Sequence, residues 1–120
     1  MEELTAAVGV TWRTPHDSRY GDWPIKAVYS IEGPPYIELV QGGAGGPWDT
    51  GKGSRIDHIG FWSEDVLRES ERMARCNVPV DFDPQSVGRP PTFCYHKAVA
   101  AGARIEFVDK SQRERIENQK

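Results

Sequence analysis

The phrase Ile37-Glu38-Leu39-Val40 returns 68 positions later as Ile105-Glu106-Phe107-Val108. The register extends beyond the phrase: Gly9 precedes Glu38 by 29 residues, and Asn77 precedes Glu106 by the same 29. Around those two positions Ala6-Ala7-Val8-Gly9-Val10 and Ala74-Arg75-Cys76-Asn77-Val78 each close a helix-like stretch. The chain therefore reads as two copies of one module, each ending in a strand that carries a glutamate among apolar residues. Paired modules can bring two inward-pointing carboxylates to a shared axis, where a metal ion can sit.

With 120 residues the chain has length for a single small domain with one hydrophobic core. Apolar residues make up 38% and charged residues 28%, which separates it from disordered chains. A net charge of −3 with interspersed signs gives no nucleic-acid footprint and no basic membrane-binding face. No apolar run approaches the roughly 18 residues of a membrane span. The acidic start Met1-Glu2-Glu3-Leu4 is not expected to act as a secretory signal. Cys76 and Cys94 have no Cys-x-x-Cys spacing, so they are expected to be reduced thiols of a cytoplasmic protein and not metal ligands.

Along the chain, Glu2 to Val8 reads as a helix end stopped by Gly9, Val10 to Thr14 as a short strand, and Pro15 to Trp23 as a polar loop. Ile25 to Ile31 and Tyr36 to Gln41 pair as strands across Glu32-Gly33-Pro34-Pro35. Six glycines between Gly42 and Arg55 predict a mobile connector. Module two opens with a strand from Ile56 to Trp62. A helix follows from Glu64 to Cys76 with Ser63 as its N-cap, and then a strand from Val80 to Phe82. After a loop from Asp83 to Pro91, strands Thr92 to Lys97 and Arg104 to Asp109 pair across a turn at Gly102. The polar tail from Lys110 to Lys120 reads as a frayed helix. The expected fold is α+β: paired βαβββ modules form a curved mixed sheet with helices on its convex side. Module one (1–41) lacks its N-terminal strand, 42–55 connects it to module two (56–109), and 110–120 is the tail.

Side chains alternate faces along a strand. Ile37, Leu39, Ile59, Phe61, Ile105 and Phe107 are expected beneath the helices, which turns Glu38, His58 and Glu106 to the opposite, concave face. A carboxylate in mid-strand is costly to desolvate unless it is paired or ligates a cation. Three converging titratable groups mark a binding or active site. The bland alternative puts both glutamates on a solvated face and makes His58 an ordinary satisfied histidine.

Three motifs, Tyr36-Ile37-Glu38-Leu39-Val40, Asp57-His58-Ile59-Gly60-Phe61 and Arg104-Ile105-Glu106-Phe107-Val108, resemble those of the vicinal oxygen chelate superfamily. That superfamily includes glyoxalase I, methylmalonyl-CoA epimerase, extradiol dioxygenases, fosfomycin-resistance enzymes and bleomycin-binding proteins. In its glyoxalase-like members four ligands hold a divalent metal, one from the first and one from the last strand of each module. The resemblance implies Glu38, His58 and Glu106 as metal ligands. The counterpart of the fourth falls upstream of Met1, as expected if Met1 is an internal methionine of a longer product, if the chain is truncated, or, the favoured reading, if it is a short form of a longer ancestral domain. A missing strand leaves an unpaired sheet edge, which favours a homodimer.

Glutamate oxygens with an imidazole nitrogen suit Zn²⁺, Ni²⁺, Co²⁺, Mn²⁺ or Fe²⁺. The resemblance implies a metal-assisted lyase, isomerase or epimerase that stabilises an enolate of a small carbonyl or thioester substrate, with Glu106 and Glu38 as candidate bases. An extradiol dioxygenase uses two histidines and one carboxylate, and Glu38 counts against it. The other alternative is a non-catalytic module that binds or sequesters a small molecule, in which Trp62, Trp48, Tyr36, Phe93 and Tyr95 stack on a flat ligand. His96 is a further candidate contact whose facing the sequence leaves open, and His16 is expected at the surface. Arg89, Pro90 and Pro91 belong to a loop that either covers the cavity or is plain surface. Gly46 to Gly53 nearly spells a phosphate-binding loop, but it ends in Gly53 and leads into a strand, which argues against nucleotide binding.

Overall fold

The computed structural model describes residues 1–51, 53–84, 90–98 and 102–119. Lys52, in the near-phosphate loop, and Arg89 lie outside these residues. The chain forms two compact units, Met1–Gly53 with Asn118–Lys120, and Ser54–Glu117.

The first unit begins with helix α1 (Glu2–Val8), followed by strands β1 (His16–Tyr20), β2 (Trp23–Tyr29) and β3 (Glu38–Gly42). The three strands form an antiparallel sheet in the order β1-β2-β3. β1 occupies the stretch expected as a loop. Its alternation of half-buried and exposed residues is that of a strand, although the composition is polar. Val10 to Thr14, expected as a strand, makes only an isolated bridge between Trp12 and Ser30. The turn between β2 and β3 is tied by Ser30, whose hydroxyl donates to the Glu32 carbonyl and accepts from the Ile37 amide. Ile25, Ala27, Val28 and Trp48 are buried.

The glycine-rich connector is folded where it follows β3. Asp49 accepts hydrogen bonds from the Gly45 and Gly51 amides at 2.8 and 2.7 Å, and Gly42 bridges Asp49 in parallel. Trp48 is only 3% exposed. A Cβ on Gly42 would lie 2.8 Å from both the Trp48 Cβ and the Trp48 carbonyl oxygen, so glycine is what lets the backbone of Trp48 approach the end of β3. One large apolar side chain and one acceptor are enough to order a stretch whose composition alone predicts mobility.

The second unit runs β4 (His58–Ser63), α2 (Val66–Arg75), β5 (Val80–Phe82), β6 (Phe93–Ala98), β7 (Ala103–Asp109) and α3 (Gln112–Glu117). Its strands lie in the order β4-β7-β6-β5, with β4 parallel to β7 and the other pairs antiparallel. The unit is a complete βαβββ module, and the first unit is the same series without its opening strand. Gly9 ends α1 at φ 75°, and Asn77, its equivalent in the repeat, follows α2 at φ 61°. Both copies thus close their helix with a left-handed residue.

α2 is capped by Asp65, whose carboxylate accepts from the Arg68 amide at 3.0 Å, and not by Ser63. Ser63 is the last residue of β4 and pairs with Asp109, so its backbone is held in the strand and the helix starts two residues later. Its hydroxyl still accepts from the Asp65 amide. Val66, Cys94 and Phe107 form the core between α2 and the sheet, with Met73 and Ile105 against them. Ile59 and Phe61 share this face by register but are about half exposed, because β4 is the edge strand of its sheet. α3 orders the polar tail by burying Ile116. Cys76 is exposed and Cys94 buried, and both are free. Among the described residues no helix is long and apolar enough to cross a membrane.

Candidate functional site

In the second unit the parallel register sets His58 opposite Arg104 and Gly60 opposite Glu106, while the antiparallel register sets Tyr95 opposite Glu106 and Phe93 opposite Val108. His58, Gly60, Trp62, Arg104, Glu106, Phe93 and Tyr95 therefore share the face away from α2. The expectation that Ile105 and Phe107 turn toward the helix and Glu106 away from it matches this register.

His58 and Glu106 meet on that face. His58 Nε2 lies 3.3 Å from Glu106 Oε2, and the two side chains are 9% and 12% exposed. The Tyr95 ring packs against the imidazole with centroids 4.9 Å apart. Gly60 makes room for the carboxylate, since a Cβ there would lie 2.9 Å from Glu106 Oε2.

On its other side, His58 Nδ1 lies 2.9 Å from Asp57 Oδ2. The same carboxylate accepts from Arg104 and from Arg55. Burial pushes the Asp57 pKa up, but hydrogen bonds from His58 and Arg104 and the Arg104 charge outweigh it, and the group is held at about 2. An ionised carboxylate only accepts, so Nδ1 of His58 is the donor in this contact. Nε2 then faces Glu106 either as an N–H or as a bare lone pair opposite a carboxylate oxygen. In the second case a shared cation or a bridging water relieves the repulsion.

The geometry fits a metal ion. An ion bonded to both atoms at about 2.1 Å would see them at about 100°, between octahedral and tetrahedral angles. The donors, one imidazole nitrogen and one carboxylate oxygen, suit a first-row divalent ion.

In the first unit Glu38 opens β3 and stands across from Tyr29. The two units thus repeat a further relationship, a tyrosine on the neighbouring strand opposite the repeated glutamate: Tyr29 with Glu38, Tyr95 with Glu106. His16 is not on a surface loop. It sits in β1 with its ring stacked on Tyr29 at 6.2 Å, and its Nδ1 is buried without a hydrogen-bond partner among the described residues.

The aromatic candidates fall in different places. Tyr95 and Phe93 are buried on the His58–Glu106 face, and Trp62 on the same face is 37% exposed. Trp48 is packed in the first unit with its ring 5.8 Å from that of Tyr20. Tyr36 is half-buried in the turn before β3, beneath the Arg13 guanidinium at 5.8 Å. His96 lies on the helix face, opposite to Glu106. It is fully buried, with Nδ1 2.8 Å from the Val78 carbonyl and Nε2 2.9 Å from the Ser70 hydroxyl.

Asp57 and Arg104 were not singled out from sequence as site residues. The signal was present: Asp57 immediately precedes His58, and Arg104 sits two residues before Glu106 and so on its face.

No family model and no curated protein matches this chain. Among solved structures it is similar to the trypanothione-dependent glyoxalase I of Leishmania major, at 18% sequence identity and a TM-score of 0.41. That likeness covers 95% of this chain and 78% of the other.

Proposed function

We propose that this chain is a divalent-metal-dependent lyase, isomerase or epimerase of the vicinal oxygen chelate type, acting on a small carbonyl or thioester substrate. The observation that carries the proposal is the approach of His58 Nε2 to Glu106 Oε2 at 3.3 Å, with His58 already donating from its other nitrogen. Glu38 is proposed as the third donor, because the 68-residue repeat makes it the equivalent of Glu106. Together the three offer one imidazole nitrogen and two carboxylate oxygens. Zn²⁺, Ni²⁺, Co²⁺, Mn²⁺ and Fe²⁺ all accept such a set.

A bound ion supplies Lewis-acid stabilisation of the negative charge that develops on a substrate carbonyl oxygen. The residues supply the rest. Glu106 or Glu38 takes the proton from the carbon beside the carbonyl, and it is returned to the neighbouring carbon in an isomerisation or to the opposite face of the same carbon in an epimerisation. Tyr95 and Phe93 keep bulk water from the inner wall of the site, and Trp62 offers a face for an apolar part of the substrate. In solution the chain is expected to be a homodimer, which light scattering at micromolar concentration tests.

Metal analysis of the purified protein, stripped with chelator and reloaded with each of the five ions, tests the proposal directly. Retention of about one ion per site, abolished by Glu106→Ala, supports it. Failure to retain any of the five defeats it and leaves a metal-free small-molecule binder.

A further inference from the structure

We propose that Asp57, clamped by Arg104, is a positioning residue that fixes the proton of His58 on Nδ1 and thereby presents Nε2 as the metal donor. The inference rests on the metal-binding reading above and adds to it the device that sets the tautomer.

Three contacts surround the imidazole. Asp57 Oδ2 accepts the hydrogen bond from Nδ1 at 2.9 Å, Glu106 Oε2 faces Nε2 at 3.3 Å, and the Tyr95 ring closes one flank at 4.9 Å. A ring held on both edges and one flank has one orientation. Asp57 is itself held in place. Arg104 donates to its Oδ2 and, through its other terminal nitrogen, to Asp81 Oδ2 at 3.2 Å. The Arg104 guanidinium also lies 4.2 Å over the Tyr95 ring. One side chain thus orients both the acceptor behind His58 and the aromatic wall beside it.

A simple surface ion pair would not need this arrangement. Arg55, half exposed, already supplies Asp57 with a cation, whereas the Arg104 side chain is only 12% exposed. A charged acceptor behind an imidazole fixes the tautomer and raises the basicity of the free nitrogen, which strengthens it as a ligand.

Nitrogen-15 NMR of the imidazoles and Co²⁺ titrations test the assignment together. In the wild-type chain at neutral pH, the ring proton of His58 should sit on Nδ1, with or without Zn²⁺. Asp57→Asn should weaken Co²⁺ binding about 10–100-fold and alter its visible absorption spectrum, Asp57→Glu should recover part of the loss, and Arg104→Gln should fall between. A bare Nδ1 on wild-type His58 overturns the inference. So does a folded Asp57→Asn chain that binds Co²⁺ as tightly as wild type. If Asp57→Asn does not fold, the wild-type Nδ1 measurement decides. If the wild-type chain binds no metal at all, the preceding functional proposal fails, while the state of Nδ1 still decides the role of Asp57.

Discussion

Gly60 on β4 stands directly across the ladder from Glu106 on β7, and the space where a Cβ would be is filled by the Glu106 carboxylate. The obstacle to a larger residue at position 60 is the far end of a flexible side chain and not backbone. Gly60→Ala should therefore change folding stability by less than about 1 kcal/mol while displacing the carboxylate from His58. We expect weaker Co²⁺ binding at nearly unchanged melting temperature, measured by titration and calorimetry. A variant that melts early with intact metal affinity would contradict this account of Gly60.

Metal should stabilise the folded chain through mass action. At free Zn²⁺ about 100 times its dissociation constant, the gain is about 2.7 kcal/mol, a rise of several degrees in Tm. Chelator should reverse it, and Glu106→Gln, which keeps the shape and removes the charge, should show no rise. A Tm indifferent to both metal and chelator would count against the site.

Asp57 predicts an acid limb in stability. Its carboxyl is held at about 2 against an ordinary value of 3.8, so the folded state favours the ionised form. The resulting stabilisation, on the order of 2 kcal/mol, is complete above about pH 4 and is lost as pH falls toward 2. Urea midpoints between pH 5 and pH 2 should fall more steeply for wild type than for Asp57→Asn. Parallel curves would show that Asp57 gains nothing from His58 and Arg104.

His96 should behave as a core residue. Both ring nitrogens are engaged, with Val78 and Ser70, and the side chain has no exposed surface. His96→Ala leaves a cavity and removes the hydrogen-bond partner of the Val78 carbonyl and one partner of the Ser70 hydroxyl, with an expected cost of about 3 kcal/mol. Metal affinity of the folded fraction should not change. A loss of metal binding larger than the loss of fold would instead connect His96 to the site.

Sequence by itself determined the modular plan. The 68-residue offset located both glutamate strands, and Gly9 and Asn77 marked helix ends that the backbone closes with the same left-handed turn. Strand alternation assigned Glu106 and His58 to one face and Phe107 to the other, because a period of two leaves no other choice once one face is buried. Tertiary structure decided what local pattern cannot carry. β1 is a strand because it pairs with β2, not because its polar residues favour one. Trp48 and Asp49 order the glycine-rich connector through contacts that glycine content conceals. The facing of His96, the clamp of Arg104 on Asp57, and the proton state this imposes on His58 depend on residues brought together from different strands. Such contacts are set by register and packing, and no single stretch of the chain encodes them.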